Sequence, residues 1–331
     1  MLDASGAARV ASNRDVRSRA PPGAALIPSF LLNAALRLAP SLPEPAIDPL
    51  ARATARLEYA FSSKRRRAVE SNLAWIAGSG RLPGPPPPLR RTVRAIFESY
   101  HRFLLEYLSQ RALGAHALDT KFRFEGMELL YEALSLGRGA VVAAPHVGNW
   151  ELAGIATARL GHRVHVVTGV QFHPAFTGAA RALKDRERIL VSTPEEGFRP
   201  LLRTLREGGI VVLLADGDVF VRSLETEFFG RRVALPAGPA LLARRARSPL
   251  LFAHAERRPA VTAGAGNGAH RPLERHVVSF DGVELPDPAL PLKEDLLRLM
   301  RRVAEYQERA IAANLTTWCI FRPLFPASDA A

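Results

Sequence analysis

The sequence predicts an α/β protein, with a mostly parallel central sheet flanked by helices and an N-terminal helical unit in front of it. From Phe122 onward short apolar runs alternate with segments of helical periodicity, the pattern of strands joined by crossover helices. Ahead of Phe122, two segments of helical spacing are separated by the proline-rich stretch "GSGRLPGPPPP" at 78–88, which no helix can continue through. The chain has 331 residues, 47% of them hydrophobic, with mean hydropathy near zero at −0.01. That suits one large α/β domain, or a core domain with an appendage.

Residues 1–22 carry scattered charges without an apolar core, so they read as a disordered tail rather than a secretory signal. Residues 23–112 form the N-terminal helical unit. Its first part, "GAALIPSFLLNAALRLAP" at 23–40, is interrupted by Pro28, Asn33 and Arg37 and is too broken to span a bilayer. Phe30, Leu31, Leu32, Leu36 and Leu38 can form a short apolar face, suited either to lying in a membrane interface or to packing on the domain. A helix is expected over Asp48–Ile76, where Val69, Leu73 and Ile76 share a side, and a second over Leu89–Ala112, with Ile96, Tyr100, Phe103, Leu104 and Tyr107 at helical spacing.

The core is expected over 113–326. Strands are assigned to 139–145, 162–169, 188–193, 209–216 and 248–256, and an edge strand to "ERHVVSF" at 274–280. Helices are assigned between them at Tyr131–Leu136, Trp150–Leu160, Pro174–Lys184, Glu195–Arg206 and Gly238–Arg247, and a long one at Leu292–Ala313 closes the chain. "PAVTAGAGNGAHRPLE" is a glycine-rich loop without nucleotide-binding spacing, residues 327–331 are a short tail, and no internal repeat is present.

The formal charge is +13, and between Arg52 and Arg111 twelve Arg/Lys face four Glu, a surplus of +8. Such a surface attracts polyanions, meaning nucleic acid, an anionic membrane or a phosphorylated ligand. Zinc-finger spacing, RNP-type aromatic motifs and a helix-turn-helix are all lacking from the sequence, which argues against nucleic acid. The single cysteine, Cys319, excludes an internal disulfide and a cysteine metal site, and beside Trp318 it reads as a small packed residue.

"VVAAPHVGNWELAG" at 141–154 starts as a buried-strand run and then delivers His146 and, five residues later, Glu151. In open α/β sheets ligands gather where strands end and helices begin. Positions five apart on a helix lie about 140° apart, so the pair can act together only if His146 precedes the helix and Glu151 lies in its first turns. A histidine oriented by a carboxylate removes a hydroxyl proton at neutral pH. With no G-x-S-x-G elbow and no evident catalytic cysteine, that hydroxyl belongs to a substrate, which is the logic of an O-acyltransferase. On spacing alone a helix-capping histidine and a solvated first-turn glutamate are the favoured reading, since a histidine five residues ahead of a glutamate is common by chance.

"APHVGNWELAG" closely resembles the H-x4-D/E block of the lipid A biosynthesis (lauroyl/myristoyl) acyltransferase family, which includes the phosphatidylinositol mannoside acyltransferases. "KRRRAVESNL", the long block "GIVVLLADGDVFVRSLETEFFGRRVALPAGPALLARRARSPLLFA" and "YQERAIAANLTTWCIFRPLF" are similar to further family segments in the same order. The resemblance runs from about residue 60 to 325. Gly217 departs from it where a larger polar residue is frequent, and Asn314 stands near a frequent proline. A glycerolipid-acyltransferase-like fold is implied.

The resemblance implies His146 as general base and Glu151 as the motif carboxylate. The mannoside branch implies a second glutamate before Phe-Phe-Gly that orients the histidine, and Glu225 fits that spacing better than Glu227. Asp216 and Asp218 match an acidic pair in the substrate site, for which capping the turn after a strand is the other reading. Arg186 falls where the family has a basic residue, with Arg181, Lys184 and Arg188 close by. Asn149 and Trp150 are expected to shape the turn and the acyl entrance, though packing alone serves Trp150 equally. The implied reaction moves a fatty acyl group from acyl-ACP or acyl-CoA to a hydroxyl of a membrane glycolipid, a lipid A precursor or a phosphatidylinositol mannoside type. It needs no metal or other cofactor. A peripheral enzyme on the cytoplasmic face of the inner membrane is expected, touching anionic lipid and not nucleic acid. The alternative is a non-catalytic lipid-binding protein that kept the fold, which thioester turnover distinguishes.

Overall fold

A computed structural model of the chain describes residues 36–109, 120–169, 174–217, 223–259 and 274–325. Both expected tails, most of the apolar segment at 23–40, the glycine-rich loop after Pro259 and Asp218 lie outside these residues.

The N-terminal part folds into helices α1 (Glu44–Phe61), α2 (Ser63–Gly78) and α3 (Leu89–Leu108). One helix was expected where α1 and α2 stand, and the break is at Ser62, whose ψ of 65° is not helical. Ser62 serves both ends: its N–H donates to the Glu58 carbonyl, and its carbonyl accepts from the Arg66 N–H. The bonds are made by the backbone alone, with no capping bond from the serine side chain, and serine's middling helix propensity costs little at such a break.

The core sheet contains β1 (Phe122–Glu125), β2 (Ala140–Ala144), β3 (Val164–Val167), β4 (Leu190–Ser192), β5 (Ile210–Leu214), β8 (Leu250–Pro259) and β9 (Glu274–Glu284). Between β5 and β8 lies a separate hairpin of β6 (Ser223–Phe228) and β7 (Arg231–Pro236). Helices α4 (Met127–Ser135), α5 (Trp150–Arg159), α6 (Pro174–Arg186), α7 (Arg199–Arg206), α8 (Gly238–Ala246) and α9 (Leu292–Ala313) complete the described elements named here.

The seven strands run in the order β1-β9-β8-β2-β5-β3-β4, and every neighbouring pair is parallel except β8–β9. β9 was expected at the edge. Instead it pairs on both sides, and β1, a strand the sequence left unassigned, takes the edge. The β6–β7 hairpin was likewise not anticipated.

Strand β2 is buried along its whole length because helices cover both faces of the sheet. Val141 and Ala143 pack with α2, α3, α8 and α9 on one face, through residues such as Leu73, Phe97, Leu242 and Val303. Ala140 and Val142 pack on the other face with Leu130 of α4, Leu152 and Ile155 of α5, and Phe176 of α6. Helix α3 contributes Val93, Ile96 and Phe97 to the first cluster and Tyr107 to the second. It therefore crosses from one side of the sheet to the other, and the N-terminal helices share the core of the α/β part.

The "FFG" segment is the turn of the β6–β7 hairpin. Phe229 (φ 50°) and Gly230 (φ 72°) are its two loop residues, and both have the positive φ that such tight hairpins require. A phenylalanine is strained there, and its surroundings hold it. Its ring is fully buried, its N–H donates to Glu308 Oε1 at 2.6 Å, and its carbonyl accepts from Trp75 Nε1 at 2.9 Å.

Candidate active site

β2 and β5 are parallel neighbours in register, with Ala144 opposite Leu214. The residues two beyond those ends are His146 and Asp216, and they meet. Asp216 Oδ1 lies 2.6 Å from His146 Nδ1, and Oδ2 accepts from the His146 backbone N–H at 2.7 Å and from Trp318 Nε1 at 2.8 Å. The carboxylate is fully buried. Burial alone would raise its pKa, but the charge of His146 and the hydrogen bonds from His146 and Trp318 outweigh it and hold the carboxyl below its usual value. An ionised Asp216 accepts the proton on Nδ1, which leaves Nε2 as the basic nitrogen of the ring.

The turn that carries His146 is tied to the C-terminal segment. The His146 carbonyl accepts from the Cys319 N–H at 2.9 Å, Gly148 N–H donates to the Thr317 carbonyl at 3.1 Å, and Val147 forms a bridge with Trp318. Gly148 has φ 65°, and a Cβ there would stand 2.0 Å from the Ala255 carbonyl oxygen, so the strand passes too close for any side chain.

Asn149 is the N-cap of α5. Its Oδ1 accepts from the Leu152 N–H at 3.2 Å, and its Nδ2 donates to Glu106 at 3.0 Å. It is buried, and both ends of its amide are bonded to protein groups. Trp150 stacks on Phe103 with ring centres 4.2 Å apart and meets the His146 ring edge-on at 5.0 Å.

His146 and Trp150 open onto a cavity of about 360 Å³ that runs between the sheet and helices α3, α5 and α6. Val142, Ile210, Val212, Tyr107, Phe176 and Phe280 give it apolar walls. Glu151 lines it as well, bound to Lys184 Nζ at 2.9 Å rather than to the histidine. Lys184 is almost wholly buried, and its ammonium also lies 5.5 Å from the centre of the Tyr107 ring.

Several expectations shift accordingly. The carboxylate hydrogen-bonded to His146 is Asp216, whereas Glu225 is exposed on β6 opposite Ala234 and is not among the residues lining the cavity. Arg186 is exposed at the end of α6, 3.3 Å from Glu187, and the basic side chain that reaches the cavity is Lys184. Sequence reasoning held both clues. Lys184 continues the buried stripe of Phe176 and Ala180 at four-residue spacing, and Asp216 sits at the same offset from its strand as His146 from its own.

The sequence matches the family described as bacterial lipid A biosynthesis acyltransferase over residues 17–326. It is 29% identical over 235 residues to a phosphatidylinositol mannoside acyltransferase of Mycolicibacterium smegmatis, an overlap covering 66% of this chain and 71% of that protein. It is 32% identical over 207 residues to the protein of the same description from Mycobacterium tuberculosis (strain CDC 1551 / Oshkosh), covering 56% of this chain and 60% of that one. With the match running over most of its length, the chain belongs to the bacterial lipid A biosynthesis acyltransferase family, and so to the acyltransferases.

Proposed function

We propose that the chain transfers a fatty acyl group from a thioester donor, acyl-CoA or acyl-ACP, to a hydroxyl of a membrane glycolipid, with His146 as general base. The observation that carries this is the His146–Asp216 pair at the wall of an apolar cavity. His146 Nε2 takes the acceptor's hydroxyl proton while that oxygen attacks the thioester carbonyl. The tetrahedral intermediate expels the thiolate, which recovers the proton from the imidazolium. Trp150 and Gly148 hold the ring and its turn in place, and Asp216 keeps Nδ1 protonated.

The developing oxyanion needs fixed positive charge or N–H donors. The first-turn N–H groups of α5 adjoin His146, and Lys184, anchored by Glu151, supplies a cation in the same cavity. Glu151 then acts by holding Lys184. The cavity's volume lies within the range of about 300–1,000 Å³ common for small-molecule sites. Each methylene of the donor chain buried there contributes about 0.8 kcal/mol.

The descriptions of the mycobacterial relatives support a phosphatidylinositol mannoside as acceptor, and the family's description supports a lipid A precursor as the second candidate. No helix among the described residues is long and apolar enough to cross a membrane. Leu57 and Phe61 of α1, 62% and 81% exposed, lie among exposed Arg52, Arg56, Lys64 and Arg67, which supports peripheral contact with anionic lipid.

The test is in-vitro transfer from acyl-CoA and acyl-ACP to each acceptor, followed by mass spectrometry. Wild type is expected to add one acyl group to the mannosylated acceptor and His146→Ala to lose the activity by about 10² to 10⁴ or more. An active His146→Ala protein removes the general-base role, and a wild type that binds thioester without turning it over establishes the non-catalytic alternative.

A further inference from the structure

A second cavity, of about 440 Å³, lies between α1 and α3 and shares no lining residue with the acyl cavity. Four arginines line it: Arg52, Arg91, Arg102 and Arg257. Its walls are built from small side chains, Ala51, Thr92, Ala95 and Ser99, where two packed helices would ordinarily interlock larger ones. The space is therefore open and the charge around it is positive. Asp48 and Glu98 are its two acidic lining residues.

The arginines are not equally committed. Arg102 is paired with Asp48 at 3.0 Å and with Glu106 at 3.1 Å. Arg257 spends a guanidinium donor on Glu106, while its buried Nε–H has no hydrogen-bond acceptor among the described residues. Arg52 and Arg91 are exposed at the mouth, and no ion pair of theirs occurs among the described residues. Planar guanidinium donors converging on a roomy pocket are the chemistry that recognises phosphoryl oxygens.

The pocket is coupled to the catalytic turn. Glu106, which holds Arg102 and Arg257, also accepts from Asn149, the cap of α5. Thr316, on the pocket's wall, adjoins Thr317, whose carbonyl receives the Gly148 N–H.

We infer that the cavity between α1 and α3 is a phosphoryl-binding site, in which Arg52 and Arg91 engage a phosphate carried by one of the two substrates. The inference rests on the glycolipid acyltransferase reading, which supplies two sources of that phosphate: the phosphodiester of the acceptor's headgroup, and the phosphates of the donor's carrier. Charge at Arg102 and Arg257 preorganises the pocket, and Glu106 transmits occupancy to the Asn149 cap.

The test is a direct binding measurement on the full chain that requires no turnover. Coenzyme A is titrated calorimetrically, and phosphatidylcholine vesicles with and without phosphatidylinositol are cosedimented. Arg52→Ala/Arg91→Ala is compared with Arg56→Ala/Arg94→Ala, an equal loss of charge at exposed positions of α1 and α3 outside the cavity lining, in which Arg56 shares with Arg52 the exposed cationic face of α1. The cavity pair is expected to weaken one binding by about tenfold or more, and the control pair by about twofold or less. Loss confined to phosphatidylinositol vesicles assigns the acceptor headgroup, and loss confined to coenzyme A assigns the donor carrier. Equal weakening by both pairs shows only diffuse surface charge and overturns the site, as does an unchanged cavity pair. A chain that binds phosphoryl groups here but transfers no acyl group keeps the site and refutes the catalytic reading.

Discussion

Asp216 is held by three donors, and their arrangement decides what its replacement does. Oδ2 accepts two N–H groups, from the His146 backbone and from Trp318, so in Asp216→Asn the amide oxygen must take that position. The NH2 group then faces His146 Nδ1 and donates to it, which moves the ring proton to Nε2 and leaves no base facing the substrate. Turnover by Asp216→Asn is expected to fall by about 10² to 10⁴ with the fold retained, as read by steady-state kinetics and circular dichroism. Glu225→Gln, at an exposed position of β6, should leave turnover within about twofold, and a large loss there would reinstate Glu225 as the orienting residue. Asp216 also links stability to pH. Its carboxyl titrates below the ordinary value of about 3.9, so the folded state binds fewer protons than the unfolded one in that interval. Its contribution is complete above about pH 4 to 5 and is lost as pH falls through the depressed folded value; the Asn variant should lack this component of the acid limb.

At the scale of elements, the site depends on two parallel strands ending together and on one turn packed against a third. The sequence showed β2, β5 and β8 as apolar runs and placed His146 after the first of them, because local composition encodes a buried strand. Strand order is not local: that β5 lies beside β2, and so brings Asp216 to His146, follows only from the sheet as a whole. The β6–β7 hairpin escaped notice because its turn uses Phe229 where Asn or Gly is usual, held by tertiary bonds to Glu308 and Trp75. Lys184 and Arg186 sit about 200° apart on α6, so only one can face Glu151, and helix phase against the sheet selects Lys184. The turn itself gives a sharp expectation. Gly148→Ala places a Cβ against the Ala255 carbonyl at positive φ, costing on the order of 1–3 kcal/mol from backbone conformation before the clash is counted. The turn must move, so both the thermal midpoint and turnover should fall together; a variant of full activity and stability would show that β8 yields without disturbing His146.

For the molecule as a whole, much of the charge surplus and two of the most exposed apolar side chains, Leu57 and Phe61, fall on the same N-terminal helices. Among the described residues, Leu57 and Phe61 stand one turn apart on α1, and Arg52, Arg56, Lys64 and Arg67 are exposed on α1 and α2. Burying two such apolar side chains in a lipid interface contributes about 1.5–3 kcal/mol each at full burial, and interfacial cations add about 1 kcal/mol apiece near an anionic surface. The two contributions respond differently to salt, since charge attraction is screened over about 10 Å at 0.1 M while apolar burial is not. Cosedimentation should therefore show binding to anionic vesicles that weakens, without vanishing, as salt rises. Leu57→Ala/Phe61→Ala should remove most of the salt-resistant part and leave the thermal midpoint unchanged, because neither side chain belongs to the core. If the double variant binds as tightly as wild type in high salt, the salt-resistant contact lies elsewhere in the chain and α1 does not face the membrane.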